Sequence, residues 1–260
     1  MKISLHSDLH NETRLDNMII HSDADVIVLA GDNHEGLQAY QFACEVADLN
    51  PQANVLWIAG NHEYYCGELN ACKRAFMKTN SKHSRVRYLD DSYIEIDGVE
   101  FIGSTLWTDF SLFAEGDHNI LHDHRRLARK SIADFHAIDD ESDERRRFTT
   151  QKMSYLFYDA CRFIRKRLRD SKAQKKVVIS HFAPTDLTQH KQFVGDPLTA
   201  YFNAAVSSLF ELKPDAWLFG HTHCNQSRGI NINGVPVYCN QGGYRTESNT
   251  GYDPGYAIYV

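Results

Sequence analysis

Five short polar blocks hold Asp, Asn and His at spacings suited to metal chemistry: Ser7-Asp8-Leu9-His10, Gly31-Asp32-Asn33-His34, Gly60-Asn61-His62-Glu63, Ser180-His181 and Gly220-His221-Thr222-His223. Asp8 and His10 lie two apart, as do His221 and His223, so at a strand end each pair points the same way. Glycine before Asp32, Asn61 and His221 allows a sharp turn or a close backbone approach there. The donors are carboxylate, imidazole and amide, with no thiolate. That set suits two divalent ions of the Mn, Fe, Co, Ni or Zn kind and disfavours a Cys-type structural zinc site. Taken singly, a strand-end His is usually a hydrogen-bonded structural residue, and Asp after Gly is usually a turn or cap. Five such blocks together predict a binuclear centre.

Each block must be carried by a rigid element, and apolar, β-branched runs precede them all: Lys2–Leu5, Val26–Ala30, Val55–Ala59, Val177–Ile179 and Ala216–Phe219. Runs of this kind are buried parallel strands that present a ligand at their carboxyl ends, the edge where α/β sheets build sites. Between them, Glu12–His21 is expected as a short helix, Leu37–Leu49 as an amphipathic helix stopped by Pro51, and Leu69–Lys78 as another. The first part therefore reads βαβαβ. Arg85–Leu89, Tyr93–Ile96 and Val99–Ser104 read as antiparallel strands, with Asp97-Gly98 as a hairpin turn. From Trp107 to about Thr149 the strand rhythm stops and the chain turns charged and His-rich. We expect a cap or lid insert at 107–149 with a helix near His118–Lys130, then a long helix over Phe148–Arg169. Val235–Tyr238 and Tyr256–Val260 complete the strands.

The chain has 260 residues and 42% hydrophobic content, enough for one large α/β domain. Its formal charge of −6 argues against a general polyanion-binding surface. Two divalent cations would offset much of that charge in one cleft and draw an anionic substrate there. Cys44, Cys66, Cys72, Cys161, Cys224 and Cys239 form no CxxC pair and read as reduced thiols. The chain starts directly in a strand with no basic and apolar leader, and no stretch approaches the ~20 apolar residues of a membrane span. A soluble cytoplasmic protein without membrane association is expected.

In residue type and order the blocks resemble the signature of the calcineurin-like metallophosphoesterases: D-x-H, G-D, G-N-H-[DE], a lone strand-end His, and G-H-x-H. Here these are Asp8/His10, Asp32, Asn61/His62/Glu63, His181 and His221/His223, spread over residues 7 to 223. The resemblance implies a four-layer αββα sandwich, two mixed sheets flanked by helices. It also implies one ion held by Asp8, His10, Asp32 and His223, and a second by Asp32, Asn61, His181 and His221, with Asp32 bridging. A carboxylate can join two cations ~3.5–4 Å apart, and water they share is acidified toward hydroxide. His62 is left over for proton chemistry: protonating the leaving oxygen or stabilising the phosphoryl group. The activity implied is hydrolysis of a phosphate ester by metal-held hydroxide, with a small phosphodiester or nucleotide-like substrate favoured because a lid encloses.

Glu63, His34 and Asn240 are weaker candidates. Glu63 is expected in an orienting or structural role rather than in direct catalysis, and His34 to flank the site, to cap a helix starting at Asp32–Glu35 or to lie on the surface. Asn240 opens the turn Asn240-Gln241-Gly242-Gly243-Tyr244, which either holds an anion on backbone donors or is purely structural. His118, His122, His124 and His136 belong to the insert, as a lid contributing substrate contacts, a solvated segment or a second metal cluster. Arg125, Arg126, Arg145, Arg146 and Arg147 could meet phosphate oxygens or form a solvated face. Two rivals stand: a nuclease on single-stranded nucleic acid, which would want a basic groove with exposed aromatics, and a catalytically silent metal-binding scaffold, which would be expected to lack His62 or a ligand. Oligomeric state is not encoded in these patterns.

Overall fold

In the computed structural model, residues 1–65, 67–142, 146–247 and 250–260 are described. In chain order the elements are β1 (Lys2–His6), β2 (Val26–Ala30), α1 (Gln38–Leu49), β3 (Asn54–Ile58), β4 (Gly67–Glu68), α2 (Leu69–Thr79), β5 (Val86–Tyr88), β6 (Ser92–Ile96) and β7 (Val99–Ser104). They continue with α3 (His118–Ser131), α4 (Asp134–Ala137), β8 (Ile138–Asp139), α5 (Thr150–Asp170), β9 (Lys175–Ser180), α6 (Thr199–Phe202), α7 (Ser207–Phe210), β10 (Ala216–Phe219), β11 (Ile230–Ile232), β12 (Val235–Cys239) and β13 (Ala257–Tyr259). Cys66 and Arg145, both named from the sequence, lie outside the described residues.

Two mixed sheets result. The first runs β13-β1-β2-β3-β5 and the second β11-β12-β10-β9-β7-β6. Inside each, the ligand-bearing strands pair parallel: β1 with β2, β2 with β3, and β10 with β9. Alternation along each strand sorts residues between two cores. Ile3, Leu5, Val26, Val28, Leu56 and Ile58 meet Phe101, Val177, Ile179 and Leu218 between the sheets. The intervening Ile27, Leu29, Val55 and Trp57 pack against Phe42, Ala43 and Val46 of α1, while Val178 and Trp217 join Ala160 and Ile164 of α5 in the outer core. Both faces of both sheets are thus covered, which is why the strands read as unbroken apolar runs. This is the expected four-layer αββα sandwich.

Three expectations are corrected. Glu12–His21 forms no helix: a single 3₁₀ turn, Asn11–Thr13, is followed by irregular chain. Leu15 and Ile19 are 90% and 68% exposed while Ile20 is buried, so the segment's apolar residues do not share one buried face, which is where most helical stability comes from. Side chains instead bind backbone: Arg14 Nε donates to Leu9 O and its Nη2 to Gly243 O, and Asn11 Oδ1 accepts from Met18 N–H. The second correction concerns β5. It pairs parallel with β3 in the first sheet after the α2 crossover, and only β6 and β7 make the antiparallel hairpin. The helix placed at Asp32–Glu35 also starts later, at Gln38.

Candidate metal centre

All five blocks leave their strands at one edge, where the two sheets are tied together. Ser7 N–H donates to Asn240 O and Gly242 N–H to Ser7 O, joining the ends of β1 and β12 across the sheets. Asp8 N–H donates to Gly31 O, His10 N–H to Asp32 O, and Gly220 N–H to His181 O. The chain turns so tightly here that Asp8, His10, Asp32, His221 and His223 all have positive φ, between 45° and 76°. Left-handed backbone in non-glycine residues costs ~1–2 kcal/mol each and clusters at functional sites. Gly60 is required by crowding: a Cβ there would overlap Asp32 Oδ1 and lie 2.6 Å from His181 Nε2.

Among the described residues, three groups of His and Asp bring ligand atoms within 4.8 Å of one another: Asp8, His10 and His223; His10, Asp32 and His62; Asp32, His181 and His221. Their partners fix what each atom presents. His10 Nδ1 donates to Glu12 Oε1 at 2.9 Å, and His223 Nδ1 to Glu247 Oε2 at 2.6 Å. Each ring therefore turns a lone pair outward at Nε2, and the two Nε2 atoms face each other at 3.0 Å. Asp8 Oδ1 is 3.4 Å from His223 Nε2. It is anchored by the His221 N–H at 3.0 Å, and Ser7 Oγ donates to Oδ2.

The second group is built likewise. His181 Nδ1 donates to Ala30 O at 2.9 Å, leaving Nε2 as an acceptor 3.2 Å from Asn61 Oδ1 and 3.3 Å from Asp32 Oδ2. Asn61 Nδ2 donates to Tyr65 OH and Asp134 Oδ1, which aims its Oδ1 at the site. His221 Nδ1 is 3.2 Å from His181 Nε2, while its Nε2 is buried without a partner among the described residues. Asp32 Oδ2 faces both groups, 3.3 Å from His181 Nε2 and 3.9 Å from His10 Nε2. Acceptors converge on acceptors, a repulsive arrangement in a buried site unless cations lie between. The residues fit two divalent ions.

Charge follows the same geometry. Burial would discharge His62, but Asp32, Glu12 and Glu63 overcome it and lift the imidazole to about 9. His62 sits beside the groups, its Nε2 3.9 Å from Asp32 Oδ2 and 3.0 Å from Tyr244 OH. Its Nδ1 donates to Glu12 Oε1 at 3.1 Å, the oxygen that also holds His10. The cleft above has a volume of about 290 Å³ and includes His62, Tyr65, Ile132, Tyr201, Phe202 and Tyr244 in its walls.

The weaker candidates fare differently. Glu63 accepts from the backbone N–H groups of Asp32, Asn33 and Gly60 at 2.7–2.9 Å, so it holds the ligand loops and no imidazole. His34 accepts from Glu35 N–H and is not a cleft wall. Asn240 is buried, its amide donating to Leu5 O and Asp253 O. In the insert, His124 is buried on Phe110 O, and none of His118, His122, His124 or His136 lines the cleft. The insert reaches the cleft through Ser131–Ala133, and Asp134 accepts from Asn61, Tyr65 and Tyr201. Arg125 is bound to Ser154 Oγ, Arg126 to Asp123 and Arg147 to His136 O, and Arg146 pairs with Glu141. Sequence reasoning missed Glu12, Tyr65, Asp134, Tyr201 and Glu247, and took Tyr244 only as part of a turn. A carboxylate two residues beyond His10 was the one available signal.

Known proteins point the same way. The profile of the calcineurin-like phosphoesterase family matches residues 1–225. The chain is 27% identical over 210 residues to the uncharacterized protein L509 of Acanthamoeba polyphaga mimivirus, covering 75% of this chain and 70% of that protein. In fold it is similar to the phosphopantetheinyl hydrolase PptH of Mycobacterium tuberculosis, with a TM-score of 0.70 at 16% identity, covering 94% of this chain and 89% of that one.

Proposed function

The chain belongs to the calcineurin-like phosphoesterase family, and from that premise we propose that it hydrolyses a small phosphate ester at a two-ion centre. One observation carries the reading: the Nε2 lone pairs of His10 and His223 face each other at 3.0 Å, with Asp32 Oδ2 turned to His10 and to His181. Asp8, His10, Asp32 and His223 would hold one ion, and Asp32, Asn61, His181 and His221 the other. Bound there, the ions would supply positive charge to the phosphoryl oxygens and acidify water. Glu12 and Glu247 fix the tautomers of His10 and His223, so the ligand atoms are set before any ion arrives. His62 donates its Nε2 proton to the departing oxygen, kept charged and oriented by Glu12. The segment 107–149 acts as a cap, closing the cleft through the α3–α4 joint and steadying Asn61 through Asp134.

A small substrate suits a cleft of about 290 Å³ whose lining residues include no Lys or Arg; a nuclease would want a basic track. The presence of His62 and the whole ligand set argues against a silent scaffold. Chelation followed by metal return tests the reading on p-nitrophenyl phosphate and bis(p-nitrophenyl) phosphate. Turnover should vanish and come back with a divalent metal. Metal-loaded protein idle on these and on a nucleotide panel would refute the hydrolase reading.

A further inference from the structure

A second cavity of about 200 Å³ adjoins the cleft and shares Phe193, Phe202 and Thr222 with it as walls. Its other walls are Gln189, His190, Asp196, Leu198, Thr199 and Asn203, so it holds no Lys or Arg and one carboxylate, that of Asp196. Asp196 Oδ1 is already engaged, accepting from Leu198 N–H at 2.8 Å. An arm bearing further phosphate would meet no Lys or Arg here and one like charge, with the His190 ring already engaged by Gln192 N–H and Gln226 Nε2, whereas an uncharged ring would exchange water for Phe193, Leu198 and Phe202. The size is restrictive: a cavity of roughly 150 Å³ takes one benzene. The space fits one substituted six-membered ring or a branched alkyl group of that bulk.

Position decides which part of a substrate lies there. His62, Tyr65, Tyr244 and Glu247 all border the cleft, and none of them borders this second cavity. The oxygen that leaves must lie by His62 to take its proton, so the departing arm lies on the His62 side. The arm in the second cavity is the one that stays on phosphorus.

Building on the phosphoesterase reading, we propose that the second cavity is a subsite for an uncharged, ring-sized retained arm, which makes the substrate a phosphodiester. In the reaction a water oxygen bonds to phosphorus as the phosphorus–oxygen bond to the departing arm breaks, and the proton the water gives up to solvent replaces the one His62 spends. His62 gives that oxygen a proton, and the retained arm leaves as its phosphomonoester. A monoester would leave the cavity empty and forgo its contacts.

Three esters with one leaving group test this: phenyl p-nitrophenyl phosphate, methyl p-nitrophenyl phosphate and p-nitrophenyl phosphate, assayed with the metal-loaded protein. We expect kcat/KM for the phenyl diester to exceed that of the methyl diester by about 10- to 100-fold, in line with burying one ring. Phe193 is 46% exposed, so Phe193→Ala should fold, and Leu198→Trp should fill the space. Each should pull the phenyl-to-methyl ratio toward one. A wild-type ratio near one, a ratio both variants leave intact, or a preference for the monoester would overturn the subsite while keeping the hydrolase. No release of p-nitrophenolate from any of the three would overturn both readings together.

Discussion

Glu12 Oε1 accepts from His10 and from His62, so one carboxylate oxygen sets both the proposed metal ligand and the proposed proton donor. Glu12→Gln should therefore weaken metal binding about 10- to 100-fold, as loss of a ligand's orienting partner typically does, and lower turnover beyond what added metal restores. Metal titration of the variant, followed by assay at saturation, separates the two effects. Asp32→Asn or His181→Ala should remove bound metal and activity together. His62→Ala should retain metal and lose about 10²- to 10⁴-fold in kcat, the usual worth of a general acid; elemental analysis beside steady-state kinetics checks both. The residues that converge at the sheet edge were legible because metal chemistry restricts candidate ligands to Asp, Asn and His at strand ends. Glu12 was not, because its block reads equally well as the start of a helix. Asp134, Tyr201 and Glu247 reach the site through tertiary contacts that no local spacing records.

The elements explain why these side chains hold such unfavourable company. Parallel strands buried on both faces leave little room for register error, since a slip by one residue would exchange the two cores. Each ligand loop is then tied to the next by backbone hydrogen bonds, and Glu63 gathers three of their N–H groups. Gly60→Ala should collapse the site without unfolding the sheets, because the new Cβ would meet Asp32 Oδ1 and His181 Nε2. Near-native circular dichroism with less than one ion per chain is the expected result. Strand positions could be read from unbroken apolar runs, and α1 and α5 from their periodicity. The segment after His10 could not: its apolar residues suggest a helix, but the fold buries Ile20 and leaves Leu15 and Ile19 exposed. The sheet assignment of β5 depended on the α2 crossover, which a short apolar run does not reveal.

At the scale of the whole molecule, stability and function draw on separate charges. Burial, and then Asp90, push Asp91 up to about 6 from an ordinary 3.8. Between those values the folded chain keeps a proton that the unfolded chain has released, so stability falls as pH rises through that window and the cost is complete above it. Asp91→Asn keeps an acceptor for Ser104 Oγ and suits the positive φ of 42°. It should raise stability on the order of 1–2 kcal/mol at pH 7.5 and give no gain near pH 4, as thermal melts at the two pH values would show. Among the described residues no helix is long and apolar enough to cross a membrane. The sandwich brings five strand ends to one edge, and we propose that this edge works only with two cations in place. Turnover of bis(p-nitrophenyl) phosphate measured against bound metal per chain, as metal is restored to stripped protein, tests it most directly. We predict little turnover up to one ion per chain and a steep rise to a plateau at two. Full turnover at one ion, or none at two, would contradict it.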